Sequence, residues 1–298
     1  MGRKLSIRAR QKARRRRRRI LYASLAVAII AIIVVVYLVA QSFNSPYTSY
    51  IGQPVSQTIF QGLAGFSNQM LAAVGSGSAQ APSAISGGTL VSNGKPEVLY
   101  IGAEYCPYCG VTRWSMMIAL SKFGNFTGVD YMLSTASDVN PNTPTFTFAN
   151  SSYSSNYISF VAVEHYDRSE NVFQPLTTNE SSLFSQYDAS GGIPFIDFGN
   201  QYLVTGVKGG LSTLDLSGMN WTQVETQLDT PGSQTAQAIV GAANFFISTI
   251  CAIDGQQPAT VCSQSYATLP LSFAVNSQSI RQDLMSIPAS SVDLKWTV

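Results

Sequence analysis

An α/β domain behind one N-terminal membrane helix is the architecture this sequence predicts, and three stretches predict it. An uncharged run from Ile20 to Ala40 follows an arginine block. An apolar segment, Glu97 to Ala103, runs into Cys106-Pro107-Tyr108-Cys109 and then into a helical-looking stretch from Gly110 to Lys122. Farther on, Gly191-Gly192-Ile193-Pro194 leads into Phe195-Ile196-Asp197-Phe198, a Gly199-Asn200 turn signal and a return strand from Gln201 to Thr205.

The first 19 residues hold 11 of the chain's 18 Lys and Arg, with an unbroken run from Arg14 to Arg19. The 21 uncharged residues that follow are long enough to span a hydrocarbon core. A basic flank on one side alone places the amino end in the cytoplasm and everything beyond Ala40 outside it. A cleaved signal peptide would have a shorter apolar stretch and end in small residues, which Leu38-Val39-Ala40 matches poorly. Past Ala40 the balance reverses to 16 acidic and 7 basic residues. An acidic, Lys-poor exterior excludes nucleic acid as the expected partner. N-x-Ser/Thr acceptors at Asn125, Asn150, Asn179 and Asn220 fit an exported, glycosylated surface.

The chain therefore divides into a basic cytoplasmic tail (1–19), a transmembrane helix (20–40), a juxtamembrane segment (41–95), an α/β domain (96–230) and a helical C-terminal extension (231–298). In the juxtamembrane segment Val55, Ile59, Leu63, Phe66, Met70 and Val74 recur at helical spacing, which predicts one amphipathic helix from about Pro54 to Val74. Gly75 to Gly88 reads as a linker. The stretch after the cysteine pair is apolar nearly all round and should be buried, with Lys122 and Gly124 marking its stop. Val129–Leu133 reads as a strand and Ser134–Asn156 as an inserted loop. Ile158–Val163 reads as a strand or a helix end. Helices are expected over Glu180–Tyr187, Trp221–Leu228, Gln234–Cys251 and Ser277–Met285, and Gly209-Gly210 should close the hairpin.

Two cysteines three apart at a helix start have neighbouring side chains. The first meets unpaired backbone N–H groups and the positive end of the helix dipole, which favours an outward-facing thiolate. The second can attack a mixed disulfide formed at the first. This is the chemistry of thiol–disulfide exchange, and it needs no cofactor. A permanent structural disulfide is the plainer alternative for Cys106/Cys109. For Cys251/Cys262 a structural disulfide is the leading expectation, with an electron relay to Cys106 as the sharper one. No metal site is expected, because a C-x2-C joined to a C-x10-C is unusual spacing for closed zinc coordination. His165, the single histidine, reads as a partly buried strand-end residue, and Arg113 as a surface residue that can also help to hold a thiolate.

On the segments Val98–Cys109 and Gly192–Gly210 the chain resembles the thioredoxin superfamily. Its whole organisation also resembles an archaeal family of membrane-anchored proteins with thioredoxin-like sequence and no established activity. The resemblance implies a thioredoxin-like fold with an insertion and added helices. It implies Cys106 as nucleophile, Cys109 as resolving thiol, and Pro194 as a cis-proline facing them. Ile193, Pro107 and Tyr108 would contact an exported client protein, and a further electron partner is implied. One departure stands out. Thioredoxins carry a buried carboxylate on the strand before the motif, and Tyr100 occupies that position here. A tyrosine, with a pKa of about 10, is no base near neutral pH. Either Glu104, expected to be more exposed, or Glu97 serves, or water does, or exchange is slow. That gap and the long additions leave a non-catalytic binding module at the outer membrane face as the second functional reading.

Overall fold

The computed structural model describes residues 2–42, 45–206 and 214–271. The helix expected over Ser277–Met285 and the glycine pair Gly209-Gly210 lie outside the described residues. The chain divides into two units, Met1–Thr48 and Ser49–Val298.

In the first unit α1 (Gly2–Ser42) runs without a break through both the basic and the apolar stretch. Its segment Arg14–Val36 is 23 residues long and apolar enough to cross a membrane, about 35 Å at the helical rise. Large apolar side chains from Ile20 to Val36 are exposed, as lipid-facing groups would be.

In the second unit the single amphipathic helix expected over Pro54–Val74 is two helices, α2 (Gln57–Ala64) and α3 (Asn68–Val74). Gly65 closes the first with its N–H on the Gln61 carbonyl, and the Ser67 hydroxyl caps the second by accepting from Met70 N–H. The expected linker Gly75–Gly88 is instead tied to the body. Ser78 N–H donates to the Gln237 carbonyl, and β1 (Ser83–Ala84) pairs with residues 202–203.

Then come β2 (Val91–Ser92), β3 (Lys95–Ala103) and α4 (Pro107–Leu120). The inserted loop expected over Ser134–Asn156 is ordered. Four short strands follow α4: β4 (Gly124–Thr127), β5 (Asp130–Leu133), β6 (Pro144–Thr147) and β7 (Ser152–Ser155). They form two antiparallel pairs, β4 with β7 and β5 with β6. The stretch from Thr143 to Phe148 is buried. Its polar composition misled because the threonines find partners inside: Thr145 Oγ1 donates to the Gly110 carbonyl and Thr143 Oγ1 to the Asn140 carbonyl. Next are β8 (Ser159–Tyr166), α5 (Thr178–Tyr187), β9 (Phe195–Phe198), β10 (Tyr202–Thr205), α6 (Trp221–Leu228), α7 (Gln234–Ile253) and α8 (Ala259–Cys262).

The main sheet runs β1-β10-β9-β3, with β2 and β8 also against β3. β8 lies parallel to β3 and β9 antiparallel to it. A parallel neighbour needs a crossover, which α4 and the short strands supply. From Val98 to Ala103, β3 is buried, as a strand covered on both faces should be. On one face Leu99, Ile101, Phe195 and Leu203 pack with Leu183, Phe184 and Tyr187 of α5. On the other, α7 lies against α4, the Ser115 hydroxyl donating to the Ile239 carbonyl. α7 is also long and apolar enough to cross a membrane, but it is buried inside this unit. The helix read as an extension is core.

The β9–β10 turn has Gly199 and Asn200 at positive φ, 65° and 56°. Gln201 is a third residue before pairing resumes between Phe198 and Tyr202, where a two-residue turn was expected. Asn200 N–H donates to Asp197 Oδ1 at 2.6 Å, while Asp197 Oδ2 is buried with no partner among the described residues. Burial raises the Asp197 carboxyl from 3.8 to about 6. The folded state therefore holds this proton more tightly than the unfolded chain, so stability falls as pH rises through that window. We expect a loss of up to about 3 kcal/mol from this group between pH 4 and 7. Urea unfolding across that range checks it: Asp197→Asn should flatten the slope, and an unchanged slope would show that Asp197 does not titrate there.

Candidate functional site

α4 starts abruptly because Pro107 occupies its first turn, where no N–H is needed. The cap before it is Cys106, and its sulfur accepts a hydrogen bond from Cys109 N–H at 3.2 Å. A side chain that accepts from the first-turn N–H groups is the usual N-cap arrangement, here made by a thiol. The two cysteines are not bonded to each other. The Cys106 thiol is lowered below its ordinary pKa, first by the hydrogen bond from Cys109, then by Cys109 N–H and the positive Arg113, against the opposing effect of burial. Burial and the hydrogen bond with Cys106 push the Cys109 thiol well above its ordinary value. The pair is thus split into one acidic and one reluctant sulfur.

The expected outward-facing sulfur is in fact nearly covered: Cys106 is 4% exposed and Cys109 0%. With Ala103 they form a cluster roofed by Tyr105, Tyr108, Tyr166 and Ile193, all partly exposed. The Ile193–Pro194 peptide bond is cis, and Ile193 packs directly on the cysteine cluster. A groove of about 480 Å³ opens beside it, lined by Tyr108, Tyr187, Asp188, Gly192, Ile193 and Thr205 among others. Cys106, Cys109, Pro107, Tyr108 and Ile193 therefore meet in one place, with Pro194 buried next to them.

Gly110 shows how the short strands shape the site. A Cβ there would lie 3.1 Å from Thr143 Cγ2 and 3.4 Å from Thr145 Cβ, so the glycine lets them press on the first turn of α4.

The acids differ from expectation. Glu104 is not exposed: it is 6% accessible and accepts from Thr147 Oγ1 at 2.7 Å. Burial holds its carboxyl above the usual range despite that bond. Glu97 sits at the far end of β3, about 20 Å from Ala103 by strand rise, and is removed as a base for this pair. Arg113 is not a surface residue; it is fully buried. Its Nε donates to Glu164 Oε1 at 2.9 Å and its Nη2 to Glu164 Oε2 at 2.5 Å and to the Ala103 carbonyl at 2.8 Å. Sequence reading passed over Glu164. Its signal was a lone acid in the apolar strand Ile158–Val163 and beyond, matched by a lone base in an apolar helix.

His165 is partly buried in β8, as expected, with Nδ1 3.0 Å from the Gln174 carbonyl. Cys251 and Cys262 form a disulfide and are buried. Closing a ring of this size contributes about 3 kcal/mol through the unfolded chain. Ile253, two residues beyond Cys251, packs at Gly199, the opposite end of β9 from Pro194. The strand between them spans about 15 Å, so a direct relay from this disulfide to Cys106 does not follow from the geometry.

The second unit is a mixed α/β domain in which a cysteine thiol caps a buried helix beside a cis-proline. It belongs to the family described as "Domain of unknown function (DUF929)", whose model matches residues 82–252. The matched span includes both cysteines of the cap, Pro194 and Cys251. No curated protein and no solved structure matches the sequence.

Proposed function

We propose that the domain is thioredoxin-like and that the chain is a membrane-anchored thiol–disulfide oxidoreductase acting on exported proteins. The observation that carries this reading is the Cys106 sulfur on the N-terminus of α4, hydrogen-bonded by Cys109 N–H, with Ile193 packed against the pair. The parallel β3–β8 pair joined through the cysteine helix, and the antiparallel hairpin that begins at Pro194, support the fold assignment.

In the reducing direction the Cys106 thiolate attacks a client disulfide. A Cys106–client bond forms and one client sulfur leaves as thiolate. Cys109, deprotonated, then attacks Cys106; the intramolecular disulfide forms and the second client sulfur leaves. In the oxidising direction the same steps run backwards. Glu104, kept above the usual carboxylate range, is the side chain offered for the proton of Cys109. Among the described residues the backbone N–H and carbonyl of Ile193 take no hydrogen bond. They are offered to an extended client by strand addition, with the adjacent groove for its side chains.

The arginine run before the apolar segment of α1 puts the amino end in the cytoplasm and the domain outside. The exposed acceptors Asn125, Asn150 and Asn179 fit that side, whereas Asn220 spends its side chain capping α6. Near-complete cover of Cys106 favours a second reading, a binding module without turnover.

The full chain in detergent, given insulin and a reductant, separates the two. Cys109→Ala should accumulate a Cys106–insulin mixed disulfide that the wild type does not retain. A Cys106 thiol titrating near its ordinary pKa of about 8.5, with no adduct, would leave only the binding module.

A further inference from the structure

Among the described residues, two donors buried behind the cysteine pair find no partner. Arg113 Nη1 has no acceptor, although Nε and Nη2 of the same guanidinium are saturated by Glu164 and the Ala103 carbonyl. The Tyr100 hydroxyl is likewise without a partner. Both side chains are 0% exposed. Buried donors are costly to leave unmade, and each calls for an explanation.

Their positions converge. Tyr100 lies on β3 with its ring folded along the strand toward the cysteines; a Cβ at Gly102 would overlap its hydroxyl. Gly102 is therefore the vacancy that lets the hydroxyl reach the end of the strand. The Arg113 guanidinium carbon stands 5.8 Å from the Tyr100 ring centre and is pinned at Ala103, which packs with both cysteines. Arg113 is also four residues after Cys109 on α4, the spacing at which helical side chains are neighbours. The groups acting on Cys109 are Cys106, which caps α4, Arg113 of α4, and the Ala103 backbone and Tyr100 of β3, with Glu164 of β8 behind Arg113.

We propose that Arg113 and Tyr100 receive the Cys109 sulfur as an anion when the Cys106–Cys109 disulfide opens, in place of the carboxylate missing at position 100. This rests on the exchange chemistry above and names the groups that control its second sulfur. The step balances without a proton. An incoming thiolate bonds to Cys106 Sγ, the Cys106–Cys109 bond breaks, and its electron pair leaves on Cys109 Sγ. In reverse the same anion attacks Cys106. The charge of Arg113 acts to lower both thiols, although burial leaves Cys109 raised, while burial keeps the Tyr100 hydroxyl protonated and so a donor. Glu164 acts through Arg113 and is a positioning residue.

The test uses the oxidised full chain in detergent and glutathione as the attacking thiol, so it needs no client. Opening is followed by acid quench, alkylation and mass. Tyr100→Phe removes an unpartnered hydroxyl and leaves no cavity. R113M/E164L replaces a buried ion pair by apolar groups of similar size, a change proteins tolerate. Each should slow opening by about tenfold, because a leaving thiolate loses a charge-assisted hydrogen bond. Arg113→Lys, which keeps the charge, should slow it less than R113M/E164L. Alkylation of reduced Cys106 should change little in Tyr100→Phe and should slow in R113M/E164L, which loses the charge that lowers its thiol. Opening at the wild-type rate in both Tyr100→Phe and R113M/E164L, with folding intact, would overturn the proposal. Slowed opening in a chain that exchanges no disulfide with insulin would uphold it while ending the oxidoreductase reading.

Discussion

Cys106→Ser should reduce insulin turnover to the uncatalysed level while leaving the domain folded. A serine hydroxyl accepts the Cys109 N–H as a thiol does and is a preferred N-cap in its own right, so α4 keeps its start. What is lost is the nucleophile, since a neutral hydroxyl does not attack a disulfide as a thiolate does. The variant thus separates structure from chemistry at a single atom. The measurement is turnover of insulin by the full chain, with thermal unfolding as the control. Undiminished turnover in a folded Cys106→Ser chain would reject the assignment outright. Replacing Cys109 gives a different result, a trapped adduct, because capture at Cys106 still occurs and only release fails.

The elements that positioned these sulfurs were legible because each carries a local rule. Cys106-Pro107 announces a helix start: a capping side chain followed by the one residue suited to a position that needs no N–H. Trp221–Leu228 begins at the Asn220…Gln223 capping box, a signal local in sequence. The parts misread share the opposite property, that their partners are distant in sequence. Thr145 and Thr147 look like loop until the Gly110 carbonyl and Glu104 are supplied as acceptors. Gly75–Gly88 looks like linker until Gln237 and Asn244 are set beside it, Asn244 Nδ2 donating to the Gly75 carbonyl at 2.7 Å. Arg113 carries the sharpest lesson. A helix apolar on every other side has no solvent face, so a charge within it requires a buried counter-charge, and only Glu164 of the neighbouring apolar strand was placed to be one.

Glu164→Ala should be among the most damaging single changes to stability, at about 3–5 kcal/mol, because it leaves a guanidinium charged and unpaired in the interior. The carboxylate also accepts from Phe148 N–H at 3.2 Å, so its loss frees both the α4 anchor and the end of the short-strand segment. In a unit of this size such a change lowers the unfolding midpoint by about 10 °C or more. R113M/E164L should restore most of the loss, since no charge is then stranded. Thermal and urea unfolding of the two variants check this pair of outcomes. A Glu164→Ala chain as stable as wild type would mean that Arg113 does not lie buried against it. If the double variant matches wild type in stability, the ion pair contributes little to the fold that leucine and methionine would not. Its place behind the two sulfurs is then explained by the Arg113 charge, which acts to lower both thiols against burial. The cost of stranding one charge and the near-neutrality of removing both are the measurements that separate those two roles.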